Sequence, residues 1–166
     1  SKRQALHLAA GAAAQALGLN EAEVFEALME REQLGSTGLG CGVAVPHARL
    51  KGLDRVTGVL VRLDQPVAYD SVDDRPVDVL FALFAPPSGG TEHLRALAAV
   101  SRALRSAELR ERVRDQKGLD LSVDLLVAAK PHRAPGLADL GRGQTLAVTQ
   151  PVCQDLLGGP VELRHV

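Results

Sequence analysis

The sequence predicts an α/β domain, and three observations carry that expectation. Segments with apolar residues at helical spacing open the chain and return after residue 90. Between them lie short runs of strand character, one of which, Val77–Ala85, is apolar at nearly every position. The two kinds of segment are separated by glycine and proline punctuation, the arrangement of strands and helices in an α/β fold.

Ser1 to Leu17 reads as a helix, because Leu6, Ala9, Ala13 and Leu17 recur at helical spacing and alanine is the best helix former. Gly18 ends it. The next helix has a start signal in Asn20, with Glu23 three residues on as its reciprocal partner and Leu19 placed to pack on Val24. Its buried stripe is Val24, Phe25, Leu28 and Met29, and it ends near Leu34 with Gly35. From Gly35 the run Gly-Ser-Thr-Gly-Leu-Gly-Cys-Gly gives way to Val43-Ala44-Val45-Pro46-His47, a glycine loop feeding a short strand. Further strands are expected at Val56–Leu63 and Val77–Ala85. A long helix follows from about Thr91, with Leu94, Leu97, Ser101 and Leu104 on one stripe. Shorter helices are expected at Glu108–Asp115 and Leu121–Ala129.

After Lys130 the character changes. Four prolines and five glycines interrupt residues 131–166, which hold two short alternating runs, Thr145–Thr149 and Val161–Val166. The expectation is one domain over 1–130 with a C-terminal appendage over 131–166, the two runs forming a weak hairpin. The chain opens at Ser1 without a methionine and directly in a helical pattern, which reads as an N-terminally truncated piece.

Bulk properties narrow the function. A length of 166 residues suits one domain with a full core. A formal net charge of −1 and only four aromatic residues, three Phe and one Tyr, argue against nucleic acid as partner, since both the charge and the stacking surfaces are missing. No apolar run has the length of a bilayer span and no signal peptide opens the chain, so neither membrane insertion nor export is expected. Cys41 and Cys153 read as reduced thiols of a cytoplasmic protein, and no metal-ligand spacing is present.

The chemistry concentrates in Arg31 to His47. Glycines let backbone N–H groups converge on an anion, so Gly38, Gly40 and Gly42 form a candidate phosphate-binding loop, with Ser36 and Thr37 adding hydroxyls. Arg31 offers a planar fork matched to phosphate oxygens. His47 follows Pro46, and a largely neutral histidine can attack phosphorus without a separate base. The loop is not a Walker A motif, because no Gly-Lys-Ser/Thr follows, and it lacks the setting of a dinucleotide fingerprint. From the residues alone two readings stand, an anion nest beside a nucleophile, or a turn leading to an ordinary strand-end histidine. His7, His132 and His165 have no motif around them and read as solvated. Asp73-Asp74 reads as a turn, and the charged stretch Arg102–Lys117 as a solvated helical face.

Glu30-Arg31-Glu32, Gly35-Ser36-Thr37-Gly38, Gly40, Gly42, Ala44 and Pro46-His47 together resemble the signature of the type 2 enzyme IIA domains of the bacterial sugar phosphotransferase system. The resemblance continues through Pro76-Val77-Asp78 and the apolar strand to His93-Leu94, ending near Ala129, and is closest to the nitrogen-regulatory branch. It implies a mixed sheet of four to five strands with helices on both faces. It also implies that His47 is the phosphoryl acceptor, that His93 contacts the phosphoryl group without carrying it, and that Arg31 stabilises its charge. No cofactor or metal is implied. The implied donor is an HPr-type phosphohistidine protein, and the implied recipient is a IIB domain or a regulated protein. The chain departs from the family pattern at Cys41, where many members have Asn, in lacking the leading segment, and in the tail 131–166. The rivals from other classes are a binding module whose His47 is never phosphorylated, and a small hydrolase with His47 as base, which lacks a Ser or Cys nucleophile in a suitable setting.

Overall fold

A computed structural model of the chain describes residues 1–88 and 90–115 and, for the backbone alone, 143–148 and 163–165. Helix α1 spans Lys2–Leu17 and α2 spans Glu21–Gln33. The start of α1 is capped by Ser1, whose hydroxyl accepts from the Gln4 amide while the Gln4 side chain accepts from the Ser1 amino group. Gly18 ends α1 at φ 67°, the left-handed position that glycine occupies without strain. Asn20 caps α2 as expected, its carbonyl oxygen accepting from the Glu23 amide at 3.2 Å. The buried face of α1 is almost all alanine, which brings it close to α2 and to the sheet.

Five strands precede residue 86: β1 (Gly38–Gly40), β2 (Val43–Ala44), β3 (His47–Arg49), β4 (Thr57–Val67) and β5 (Val77–Ala85). Helices α3 (Gly90–Ala103) and α4 (Ala107–Asp115) follow. Strands β6 (Gly143–Val148) and β7 (Leu163–His165) come from the C-terminal segment. The sheet is mixed, in the order β1-β2-β5-β4-β6-β7, with β3 beside β5 just beyond β2. β5 is the axis. It pairs parallel with β2 and β3 and antiparallel with β4.

The alternation of side chains along β5 divides the core in two. Leu80, Ala82 and Phe84 face α1 and α2, whereas Val79, Phe81, Leu83 and Ala85 face α3 and α4. An uninterrupted apolar run is what a strand covered on both faces requires, and here both faces are covered. The expected mixed sheet with helices on both faces is therefore present, and β6 and β7 extend it from β4.

The glycine run differs from the expected loop. Residues 38–44 form a β-hairpin, β1 pairing antiparallel with β2 around Cys41 and Gly42. Both turn residues have positive φ, 55° and 79°, the pattern of a two-residue hairpin turn in which Asn-Gly is favoured. The expected strand from Val43 to His47 is real but interrupted at Pro46, which has no N–H to give. The offset from Val43↔Val79 and Ala44↔Leu80 is kept at His47↔Leu83.

Helix α3 begins at Gly90, one residue from the expected start, but its inner face is not the one expected. Its buried residues are His93, Ala96, Ala99 and Val100; of the expected leucines, Leu104 just beyond the helix is buried in the same core half and Leu97 packs against it, whereas Leu94 is 65% exposed. Small residues on the inner face let the helix sit closer to β5 than a leucine stripe would. The charged face of α4 is not wholly solvated either, because Arg114 forks onto Asp78 at 2.8–3.1 Å and donates to the Cys41 carbonyl. Asp73 and Asp74 do form a turn, closed by the Asp74 amide donating to the Ser71 carbonyl. The expected helix at 121–129 lies outside the described residues, as does His132. No helix among the described residues is long and apolar enough to cross a membrane.

Gly58 of β4 shows how tightly the second core half is packed. A Cβ there would stand 2.5 Å from ring atoms of Phe81, a side chain only 3% exposed. Gly58→Ala should therefore destabilise the domain by about 1–3 kcal/mol through overpacking, read as a fall in the urea midpoint with an unchanged slope. An unaltered midpoint would show that the Phe81 ring has room to move.

Candidate functional site

His47 opens β3, directly after Pro46, whose carbonyl accepts the Leu83 amide at 2.9 Å and ties this point of the chain to β5. The imidazole is half-buried and has a hydrogen-bond partner at each nitrogen. Nδ1 lies 2.9 Å from the Val45 carbonyl, and Nε2 lies 3.0 Å from Nε of Arg31. A carbonyl can only accept, and a guanidinium N–H can only donate. Both contacts therefore demand the same neutral tautomer, with the proton on Nδ1 and the lone pair on Nε2.

Arg31 comes from the last turn of α2, where the helix dipole also favours a cation. Its Nη1 donates to the Gly35 carbonyl at 3.0 Å, which stations the guanidinium over the loop leaving the helix. His93 comes from the first turn of α3, from the opposite face of the sheet. The two rings are 5.6 Å apart between centroids, inclined at 50°. His93 is 6% exposed, and its Nδ1 is buried without a hydrogen-bond partner.

The electrostatics keep both imidazoles neutral. Burial pushes His47 below its ordinary value; the hydrogen bond to Val45 opposes this, the Arg31 charge adds to it, and the charge of Glu32 opposes it. Burial likewise lowers His93, helped by His47 and by Arg49. Arg49 is two residues beyond His47 on β3 and donates to the Pro87 carbonyl at 3.1 Å.

Of the residues singled out in the sequence, the structure brings Arg31, His47 and His93 together. The glycine loop is placed differently. β1 runs antiparallel to the strand that leads to His47, so Gly40 and Gly42 lie at the far end of the hairpin. Gly40 is packed beside Asp73 and Gly42 beside Arg114 and Asp78, and Gly38 leaves no room for a Cβ against Ser71. Three of the loop's amides are already taken, Thr37 by Glu32, Gly38 by Ser36 Oγ and Cys41 by Asp73. The Ser36 hydroxyl donates to the Tyr69 carbonyl, and the Thr37 hydroxyl to Glu32. The expected convergence of amides and hydroxyls on an anion is thus replaced by a hairpin that braces the loop. Glycine is needed there for turns and close approach.

Sequence reasoning quoted Glu32 within the family signature but gave it no role, and the structure shows a carboxylate whose side chain is 4% exposed. A signal existed, because Val24, Leu28 and Glu32 are spaced by four and lie on one helix face. It also missed Tyr69, which is buried against Glu32 and Thr37. Of the histidines read as solvated, His7 is exposed and pairs with Glu21 at 3.3 Å. Among the described residues, no group of three or more His, Cys, Asp or Glu could hold a metal ion.

The profile of the family described as "Phosphoenolpyruvate-dependent sugar phosphotransferase system, EIIA 2" matches residues 1–126. A nitrogen regulatory protein of Bradyrhizobium diazoefficiens is 46% identical over 114 residues, 69% of this chain and 74% of that protein. Among solved structures, the nitrogen regulatory protein IIA-Ntr of Neisseria meningitidis aligns with a TM-score of 0.66 at 37% identity, covering 70% of this chain and 80% of that one. The IIA mannitol protein of Escherichia coli aligns with a TM-score of 0.57 at 28% identity, covering 72% and 84%.

The depressed values of His47 and His93 set a pH dependence. Below the unfolded value near 6.5 the unfolded chain takes up protons that the folded site resists, so stability falls as pH drops from there toward the folded values. The urea midpoint should decline over this range, and His93→Gln should flatten that decline. A midpoint equally steep in the parent and in His93→Gln would show that His93 does not resist its proton.

Proposed function

Because the chain belongs to the type 2 enzyme IIA family of the phosphoenolpyruvate-dependent sugar phosphotransferase system, we propose that it is a cytoplasmic phosphocarrier that accepts a phosphoryl group on Nε2 of His47. The observation that carries this reading is the pair of contacts that leaves the Nε2 lone pair facing Arg31 and the proton on Nδ1. The donor is an HPr-type protein carrying phosphohistidine. The Nε2 lone pair attacks phosphorus as the donor's P–N bond breaks, and the donor imidazole departs with the electron pair of that bond. The proton of His47 stays on Nδ1, stabilised by the Val45 carbonyl.

Arg31 has two tasks in sequence. At rest it occupies the lone pair, so it must swing aside before attack. Its fork can then face the equatorial phosphoryl oxygens, where charge is concentrated. His93, kept neutral, can give one N–H to the same group. The exposed Leu34 and Leu94, next in sequence to the loop that Arg31 grips and to His93, offer an apolar rim for a transient protein contact.

The relatives favour a regulatory carrier whose phosphorylation state alters partner binding, since among the solved structures the nitrogen regulatory protein reaches 37% identity against 28% for the mannitol component. The alternative, handing the phosphoryl group to a IIB domain, uses the same site. We also place the whole site within residues 1–130, because β6 joins the sheet at β4, on the side of β5 opposite β3.

Incubation of the chain with a phosphorylated HPr-type donor, followed by intact mass, tests the reading. The parent should gain one acid-labile phosphoryl group, and no gain would return the chain to the class of binding modules. His47→Ala should gain none, while His93→Ala should still accept but transfer onward more slowly. Stable label on His93 in the His47→Ala protein would overturn the assignment of roles. Arg31→Lys keeps the charge at the helix end but loses the fork, so its melting temperature should hold while acceptance slows by about tenfold or more. Equal rates would return Arg31 to a purely structural role. A chain ending at Lys130 should accept as the parent does, and a folded truncation that fails to accept would put the tail in the site.

A further inference from the structure

We propose that Glu32 is a positioning residue for the chemistry at His47: its buried carboxylate grips Thr37, and Thr37 in turn fixes the Val45 carbonyl that holds the imidazole in its attacking tautomer. The proposal rests on the reading that Nε2 of His47 is the phosphoryl acceptor.

Glu32 sits on the apolar stripe of α2, where a charge is costly unless it is fully partnered. It is partnered on both oxygens. Oε1 accepts from the Thr37 amide at 2.9 Å and lies 2.9 Å from Nζ of Lys2 at the start of α1. Oε2 accepts from the Thr37 hydroxyl at 2.5 Å and from the Tyr69 hydroxyl at 3.4 Å. A buried carboxylate of this kind is not required for stability, since well-packed apolar residues do as well or better. Its value lies in what it holds.

What it holds leads straight to the nucleophile. The Thr37 carbonyl accepts the Val45 amide at 3.0 Å, and the Val45 carbonyl accepts the Nδ1 proton of His47 at 2.9 Å. The relay therefore has three links between Glu32 and the imidazole: a charge-assisted pair onto Thr37, a backbone bond from Val45 to Thr37, and the bond from the imidazole N–H to the Val45 carbonyl. Arg31, one residue before Glu32, closes the arrangement from the other nitrogen.

The tautomer matters because the free histidine side chain favours the proton on Nε2. In that form the lone pair lies on Nδ1, turned toward the Val45 carbonyl and unable to reach an incoming phosphorus. Freeing Thr37 loosens the Val45 carbonyl and lets the imidazole revert. Glu32→Gln keeps the size of the side chain but replaces one acceptor with an NH₂ donor. At the Oε1 place that donor would face the Thr37 amide and the Lys2 ammonium, both donors, so it takes the Oε2 place, where the Thr37 and Tyr69 hydroxyls lose their anionic acceptor and the grip on Thr37 is weakened.

The test uses the full chain with two readouts, the ring-nitrogen chemical shifts of His47 by NMR and the rate of phosphoryl acceptance from a phosphorylated HPr-type donor. Glu32→Gln should raise the population of the Nε2–H tautomer and slow acceptance by about tenfold, the scale of a displaced reacting group. An unchanged tautomer overturns the proposal, whether or not the rate falls, because Glu32 would then act by another route or not at all. If Glu32→Gln does not fold, Thr37→Val decides by the same readouts: it removes the hydroxyl link and keeps the amide link. A shifted tautomer supports the relay, and an unshifted one overturns it. The two readings fail separately, since a parent that accepts no phosphoryl group defeats the functional proposal while the tautomer still reports on Glu32.

Discussion

The parallel pairing of residues 43–49 against β5 is the constraint on which the rest of the structure depends. β5 is buried on both faces, so its position is fixed by two core halves at once. The strand that carries His47 keeps one register along it, across a proline that breaks the ladder without shifting the offset. Hydrogen bonds from Leu83 to the Pro46 carbonyl and from Leu50 to the Ala85 carbonyl hold it on either side of the histidine. With that point fixed, α2 delivers Arg31 from one layer and α3 delivers His93 from the other. A residue from each layer thus meets at one imidazole, and neither layer could build the site alone.

Much of this was legible in the residues, and what was hidden has identifiable causes. The helices, the apolar β5 strand and the Arg31, His47 pair follow from periodicity, capping and the chemistry of each side chain. Phosphate recognition by the glycines did not survive, because Gly38, Gly40 and Gly42 serve a hairpin whose tip points away from His47. A glycine's freedom serves a turn or a close approach as well as a nest, and its spacing does not separate these uses. The stripe of α3 was displaced for a different reason. Leu97 and Leu104 do reach the core, but between them the face against β5 takes alanine, Val100 and His93 at close range, and Leu94 is turned outward. Glu32 was overlooked because a lone carboxylate on a helix is usually solvated, although its four-residue spacing from Leu28 pointed inward.

The electrostatic design is economical. Two imidazoles with centroids 5.6 Å apart could not both carry protons without repulsion, and burial lowers the affinity of each for the proton. The Arg31 guanidinium supplies positive charge directly at Nε2, and Arg49 adds to the field on His93. The carboxylate of Glu32 supplies negative charge close by, yet it is turned inward onto Thr37, Tyr69 and Lys2 and leaves the approach to Nε2 clear of anions.

Tyr69 gives this arrangement a built-in optical signature. It is the only tyrosine in the chain, and there is no tryptophan. Its ring is almost wholly buried, with the Lys2 ammonium 4.8 Å from its centroid and its hydroxyl beside Glu32 and Thr37. Burial and the Glu32 charge push the ionisation of that hydroxyl far above its ordinary value. Excited at wavelengths beyond the absorption of its three phenylalanines, the chain's ultraviolet emission therefore arises from one ring seated in the brace behind His47. Quenching, lifetime or anisotropy of that emission reads the brace directly, with no label attached and no background from elsewhere in the fold.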